Sequence, residues 1–261
     1  MDKAEVVPIP NAPKPTIKVI IPPVAPLAFP SVPKEMLKAT HKLKGTSTKS
    51  ISWGTCVAID LSSYGLPGKK YLLTAGHCVS PNISIEIVDT DGSKIWVDAK
   101  AIALDKNKDM AILLCERDLP VQAVLSDTTD LGDAVIAIGN PRGTMLSANI
   151  GFLADKGFKS SVGKTSWYQA SCSVTHGNSG GPVFDANNGT IIGIVTAVIA
   201  DVDGNGNMIN EAPNITMLVG ARDIDSFILV NFDKISTNKT MKIDDEDLST
   251  RIEIRSDKKH R

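Results

Sequence analysis

Hydrophobic and polar positions divide the chain into three regimes. In residues 1–34 apolar side chains are interleaved with nine prolines (Pro8, Pro10, Pro13, Pro15, Pro22, Pro23, Pro26, Pro30 and Pro33). Proline withholds a ladder donor and fixes φ, so this stretch favours an extended, polyproline-like course over a central strand. It predicts an arm. Val19, Ile20, Ile21, Val24, Leu27 and Phe29 exceed what a solvated linker needs, and the sequence is compatible both with an arm lying against the domain or a partner and with a disordered arm. Residues 35–50 add Lys, Thr and Ser and read as a connection.

From about residue 51 to 230, short β-branched and aliphatic runs alternate with turn signals, the pattern of an all-β barrel or sandwich. It predicts strands at 55–59, 70–74, 84–89, 95–104, 111–115, 134–139, 167–170, 190–197 and 215–219. Asp91-Gly92, Asn140-Pro141, Asn188-Gly189 and Asn205-Gly206 punctuate them with residues that tolerate sharp turns. Residues 233–261 mix both charge signs with few large apolar side chains and predict a mobile tail. Leu248, Ile252 and Ile254 offer a weak helix or edge strand there, not a second core. The chain thus reads as a Pro-rich arm and linker over 1–50, one domain over 51–232 and a charged tail over 233–261.

Composition narrows function by exclusion. Lys plus Arg (28) nearly balance Asp plus Glu (29), which argues against a nucleic-acid partner. No run approaches the roughly 18 apolar residues of a membrane span. The early prolines would break the apolar helical run of an export signal, so the sequence predicts a cytoplasmic or virion-associated chain rather than a secreted one. Cys56, Cys78, Cys115 and Cys172 are too scattered for a disulfide scaffold and lack the CxxC spacing of a zinc site. No metal or cofactor is predicted. Asp201–Asn207 copies the first half of an EF-hand loop, but Ala212 occupies the slot of the bidentate Glu, with Glu211 one residue early. A polar Gly-rich turn is the better reading.

Three blocks carry chemistry. Covalent hydrolysis of an amide near neutral pH needs a hydroxyl nucleophile, a base, a carboxylate to orient that base, and amide donors for the oxyanion. Gly177-Asn178-Ser179-Gly180-Gly181-Pro182 sets a Ser among glycines, where a tight turn can expose its Oγ and aim the N–H groups of Gly177 and Ser179 at one point. Leu72-Leu73-Thr74-Ala75-Gly76-His77-Cys78 ends an apolar run at a His, whose pKa suits proton transfer. Asp109 directly precedes the apolar run Met110–Leu114, where it could hold the Nδ1 proton of His77. The order His77, Asp109, Ser179 is that of the chymotrypsin arrangement.

These blocks, TAGH, DxAIL and GNSGGP, resemble the signatures of trypsin-like serine proteases, and Gly132–Pro141 resembles the opening of the second barrel in the Do-like, or HtrA-type, branch. Resemblance covers roughly residues 51–230. It implies two six-stranded antiparallel β-barrels flanked by extended tails, a serine endopeptidase acting through an acyl-enzyme, and a peptide or protein substrate. By the family pattern Ser173 floors the specificity pocket and Thr196 stands on one wall; neither is charged, which implies cleavage after small or medium apolar residues. The chain ends where a PDZ domain would begin in that branch, implying a protease domain without this module. Relatives often trimerise through N-terminal segments, which makes the arm a candidate contact for a homo-oligomer or a larger assembly. Secreted relatives often pair cysteines placed like Cys56 and Cys78; here a disulfide and free buried thiols both stay open.

Blander readings stand beside these. A lone His or Asp in a β-domain is usually structural; three blocks in one order are another matter. His176 could touch substrate or be a loop residue, and His41 and His260 lie in the tails without a role. The rivals to a general endopeptidase are a protease-fold scaffold docked in an assembly and a processing protease restricted to one partner.

Overall fold

The computed structural model describes residues 31–88, 92–159, 166–202 and 208–244. The readings made for residues 1–30, for the turn 203–207 and for 245–261 lie outside the described residues. Among the described residues, twelve strands close into two six-stranded antiparallel barrels. The first holds β1 (Thr40–Thr46), β2 (Ile51–Ala58), β3 (Tyr71–Thr74), β4 (Asn82–Val88), β5 (Lys94–Asp105) and β6 (Met110–Cys115), in the order β1-β2-β3-β6-β5-β4. It closes where β4 returns to β1, with Leu43 opposite Ile85. The second holds β7 (Ala134–Gly139), β8 (Ser147–Lys159), β9 (Ser166–Ala170), β10 (Pro182–Asp185), β11 (Ile191–Val202) and β12 (Met208–Gly220), in the order β10-β11-β12-β9-β8-β7. It closes with Val183 opposite Ala137.

The period-2 alternation of strands explains how one chain makes three cores. Cys56 and Ala58 of β2, Leu72 of β3 and Leu113 of β6 fill the first barrel. Their neighbours Val57, Ile59, Leu73 and Ile112 point the other way, into a core shared with Ile136 and Ile138 of β7 and Ile191 and Ile194 of β11. Val135 and Ala137 of β7, Ile192 and Val195 of β11 and Leu218 of β12 fill the second barrel. The strands at the seam are therefore buried on both faces. Helix α2 (Ala221–Val230) seals that seam with Ile224, Phe227 and Ile228, an apolar stripe at helical spacing. Tyr64 donates to Asp225 at 2.7 Å and Lys108 pairs with Asp223 at 2.6 Å, tying the helix to loops of the first barrel.

Several sequence expectations are corrected at the edges. Residues 40–46, read as a connection, form β1, and α1 (Lys34–Ala39) precedes it. Strands β8 and β10 were not anticipated. Residues 233–244, read as the start of a tail, pack on the domain: α3 (Phe232–Ser236) buries Ile235, Met241 N–H donates to Ala101 O at 2.7 Å, and Ile243 packs against the first barrel's core.

His41, expected in a tail, lies in β1 and is 7% exposed. Its Nδ1 sits 3.2 Å from Glu86 O, while Nε2 is buried with no partner among the described residues. Burial lowers its pKa from 6.5 to about 4, only partly offset by the Glu86 carbonyl and carboxylate. The native state holds the ring neutral and the unfolded chain does not, so this contribution is intact above 6.5 and is lost as pH falls toward 4. Urea unfolding should show wild type losing more stability than His41→Gln as pH falls from 6.5 toward 4, by about 1 kcal/mol per pH unit. Parallel losses in the two proteins would contradict the assignment.

Candidate active site

The antiparallel pairing of β3 with β6, Thr74 opposite Ala111, brings the exit of one strand beside the entry to the other. His77 leaves the first and Asp109 opens the second. The turn from β5 into β6 is shaped by Asp105, whose Oδ1 accepts the N–H groups of Asn107 (2.9 Å) and Lys108 (3.0 Å). Asp109 then takes φ +55°, a left-handed conformation that Asp tolerates better than most residues. Its carboxylate grips His77 twice: Oδ1 accepts the backbone N–H at 2.8 Å and Oδ2 lies 2.8 Å from Nδ1. Thr196 of β11, in the other barrel, donates its hydroxyl to Oδ2.

Asp109 is 2% exposed. Burial alone would raise its pKa, but the hydrogen bonds and charge of His77 and the Thr196 hydroxyl outweigh burial and hold it below the ordinary carboxylate value. For His77 burial opposes the charged form; the adjoining Cys78 sulfur and the Asp109 carboxylate outweigh it and raise the imidazole above its ordinary value. Val79, Leu104 and Ile243 wall the recess around Gly76, His77 and Asp109.

The turn that carries Ser179 is held by a set of hydrogen bonds. His176 O accepts Arg142 N–H (2.7 Å), Gly177 O accepts the Thr55 hydroxyl (2.7 Å), Asn178 O accepts Gly181 N–H (2.9 Å) and Ser179 O accepts Thr55 N–H (2.9 Å). The amides of Asn178 and Gly180 donate to Thr175 O (3.1 Å) and Val195 O (2.7 Å). Those of Gly177 and Ser179 donate to no backbone carbonyl among the described residues. Gly177 (φ +95°) and Gly180 (φ +78°) must be glycine, because a Cβ would overlap Asn140 O in the first case and Thr55 O and the Thr74 hydroxyl in the second. The turn is docked on the His77 side: Cys78 Sγ lies 3.5 Å from Ser179 O.

Other anticipated residues fall as follows. Ser173 is exposed, between buried Cys172 and Val174. Thr196 was expected on a pocket wall; it is buried instead, its hydroxyl on Asp109, because an interior hydroxyl must find a partner. His176 is exposed and acts on the turn through its carbonyl. All four cysteines are free and buried. Sequence reasoning missed Thr55 and the Thr196–Asp109 bond. The signal was a hydroxyl inside a run buried on both faces, GTCVAI and GIVTAV, where apolar residues would otherwise stand.

With this geometry in view, similarity to known proteins can be placed. Residues 54–194, more than half the chain, match the family model described as "Trypsin-like peptidase domain". The chain is 31% identical over 159 residues to a probable periplasmic serine endoprotease DegP-like of Bartonella henselae, covering 59% of the chain and 31% of that protein. It is 33% identical over 162 residues to the namesake of Chlamydia trachomatis (60% and 31%). With the periplasmic serine endoprotease DegP of Escherichia coli it shares 31% identity over 172 residues (62% and 33%). The chain thus spans about a third of the length of these relatives. Its fold is like that of the active form of a protease from M. tuberculosis, with TM-score 0.64 at 19% identity over 92% of this chain and 97% of the other. The HtrA-type protease AlgW with tripeptide gives TM-score 0.61 at 22% identity (79% and 64%). The relatives' names overturn the expectation of a cytoplasmic or virion-associated chain, since they are named as periplasmic.

The Asp109 charge favours the imidazolium, so removing it should lower the His77 pKa. An NMR titration, with the ring signals assigned by a His77→Ala control, should show a lower midpoint in Asp109→Asn than in wild type. An equal or higher midpoint would contradict the described pairing.

Proposed function

We propose that this chain, which belongs to the trypsin-like peptidase family, is a serine endopeptidase with His77, Asp109 and Ser179 as its triad and the amides of Gly177 and Ser179 as its oxyanion hole. One observation carries the reading. Between Gly177 and Gly180 the amides of Asn178 and Gly180 have backbone acceptors and, among the described residues, those of Gly177 and Ser179 have none, in a turn that carries a serine and docks against Cys78, the neighbour of the carboxylate-held His77. Unpaired backbone donors beside a buried turn are costly unless something binds there, and an oxyanion is a ligand of the right charge.

In the proposed reaction Ser179 Oγ attacks the scissile carbonyl carbon while His77 Nε2 takes the hydroxyl proton. The carbonyl oxygen becomes an oxyanion held by the Gly177 and Ser179 amides. Collapse breaks the C–N bond, the amine leaves with the proton from His77, and the peptide's acyl part stays esterified to Ser179. Water then repeats the sequence, His77 taking its proton, and frees the acid and the serine. Asp109 stays ionised throughout, fixing the tautomer and offsetting the imidazolium charge; the Thr196 hydroxyl helps keep it so. The raised His77 pKa implies activity that climbs with pH as the ring loses its proton.

The neighbouring names support further proposals. The matched relatives are named as periplasmic endoproteases, so an exported or periplasmic location is proposed for this chain. The catalytic unit is proposed to span 34–244, wider than the 51–232 read from the pattern, because α1, β1 and the segment after α3 pack on the barrels. Ser173 is proposed as an uncharged pocket floor that selects small or medium apolar residues before the cut bond. Peptide-library cleavage should show that preference; a preference for Lys or Arg would contradict it. Replacing Ser179 by Ala should abolish labelling by a peptidyl phosphonate and lower kcat/KM by about 10⁴-fold or more. Persistent labelling would overturn the triad, and a wild type inert toward casein and phosphonate alike would favour a scaffold.

A further inference from the structure

We infer that Thr55 is a positioning residue for the oxyanion-binding amides, acting from the first barrel on the nucleophile turn of the second. This rests on the acyl-transfer reading proposed above. Thr55 is fully buried in β2 and uses every polar group it has. Its hydroxyl donates to Gly177 O at 2.7 Å and accepts Asn140 N–H at 3.0 Å. Its N–H donates to Ser179 O at 2.9 Å, and its carbonyl accepts the Thr74 hydroxyl at 2.7 Å. One side chain therefore joins the nucleophile turn to the turn that begins at Asn140. That second turn carries Arg142, in a left-handed conformation (φ +54°), whose N–H holds His176 O.

The consequence follows from the peptide group. In a trans peptide the carbonyl and the N–H point to opposite sides, so a pinned carbonyl also sets the plane of the amide it belongs to. Arg142 pins the plane that carries Gly177 N–H, and Gly181 pins the plane that carries Ser179 N–H. The plane between them, 177–178, is held at its N–H by Thr175 O (3.1 Å) and at its carbonyl by the Thr55 hydroxyl. That plane joins the two that carry the Gly177 and Ser179 amides and pivots at Gly177, which has φ +95° and no Cβ; loss of the Thr55 hydroxyl leaves it the Thr175 hold alone and lets the two N–H groups shift relative to one another. The Thr55 methyl lies 3.2 Å from where a Cβ of Gly181 would stand, and β-branching limits the χ1 choices of the hydroxyl. A hydroxyl and a methyl are both called for, and threonine supplies both.

The test compares Thr55→Val, which keeps the shape and loses the hydroxyl, with Thr55→Ser, which keeps the hydroxyl and loses the methyl. Removing an oxyanion donor outright costs about 10²–10³ in kcat, so displacing one should lower kcat by about 10–100-fold. In Thr55→Val the phosphonate labelling rate should fall by a like factor, with KM within about threefold of wild type. Thr55→Ser should recover most of the rate. Should the Val variant not fold, as judged by circular dichroism, Thr55→Cys, of similar size with a weaker donor, carries the same test. Wild-type kcat and labelling in the Val variant, or in Cys where Val does not fold, would overturn the assignment alone, as would a rise in KM at unchanged kcat. Absence of labelling in wild type would overturn the acyl-transfer reading and this assignment with it.

Discussion

Two hydroxyls buried in the seam between the two barrels, those of Thr55 and Thr196, find their partners across it, and these bonds shape the site. Alternate residues of β2, β3, β6, β7 and β11 line the seam with an apolar core. A hydroxyl or carboxylate left unpaired there costs on the order of 1–3 kcal/mol. Thr196 of the second barrel meets Asp109 of the first, and Thr55 of the first meets Gly177 and Asn140 of the second. Each bond that satisfies a buried group also sets the position of one barrel's reactive turn on the other. Stability and site geometry thus have the same cause.

The electrostatics follow from the same packing. A carboxylate buried alone would take up a proton; three donors, two from His77 and one from Thr196, keep Asp109 ionised. An ionised Asp109 in turn raises the affinity of the His77 ring for a proton despite its burial. Around Ser179 the logic is reversed. The carbonyls of 176–179 are held by Arg142, Thr55 and Gly181, while the amides of Gly177 and Ser179 have no backbone acceptor among the described residues. A base rich in negative support and a turn rich in free positive dipoles are thus assembled from opposite barrels.

What could be read in the sequence follows the same division. Runs such as MAILLC and AVIAIG were legible as strands because both their faces are buried, which leaves few polar interruptions. The blocks of His77 and Asp109 were legible because they sit at the ends of such runs, and that of Ser179 because it is set among glycines. β1 was not, since Leu43 is its only large apolar residue and its burial is shared by Thr40, His41 and Lys42. β10 is four residues long and starts with proline, and β8 is broken by Gly151, Asp155, Lys156 and Gly157. Beyond α2 the domain is held by single apolar residues, Ile235 and Ile243, in a charged context that reads as tail. Thr55 and Thr196 were visible as oddities in apolar runs, but only the fold says which group each one meets. Cellular location was the poorest inference, because an absent leader pattern is weak evidence beside the names of relatives.

The most direct measurement is a crystal structure of the protein after reaction with a peptidyl phosphonate. The account predicts phosphorus bonded to Ser179 Oγ, His77 Nε2 facing that oxygen, and one phosphoryl oxygen within about 2.7–3.1 Å of the Gly177 and Ser179 amides. A phosphonate bonded to any other residue, or a phosphoryl oxygen turned away from those two amides, would contradict it.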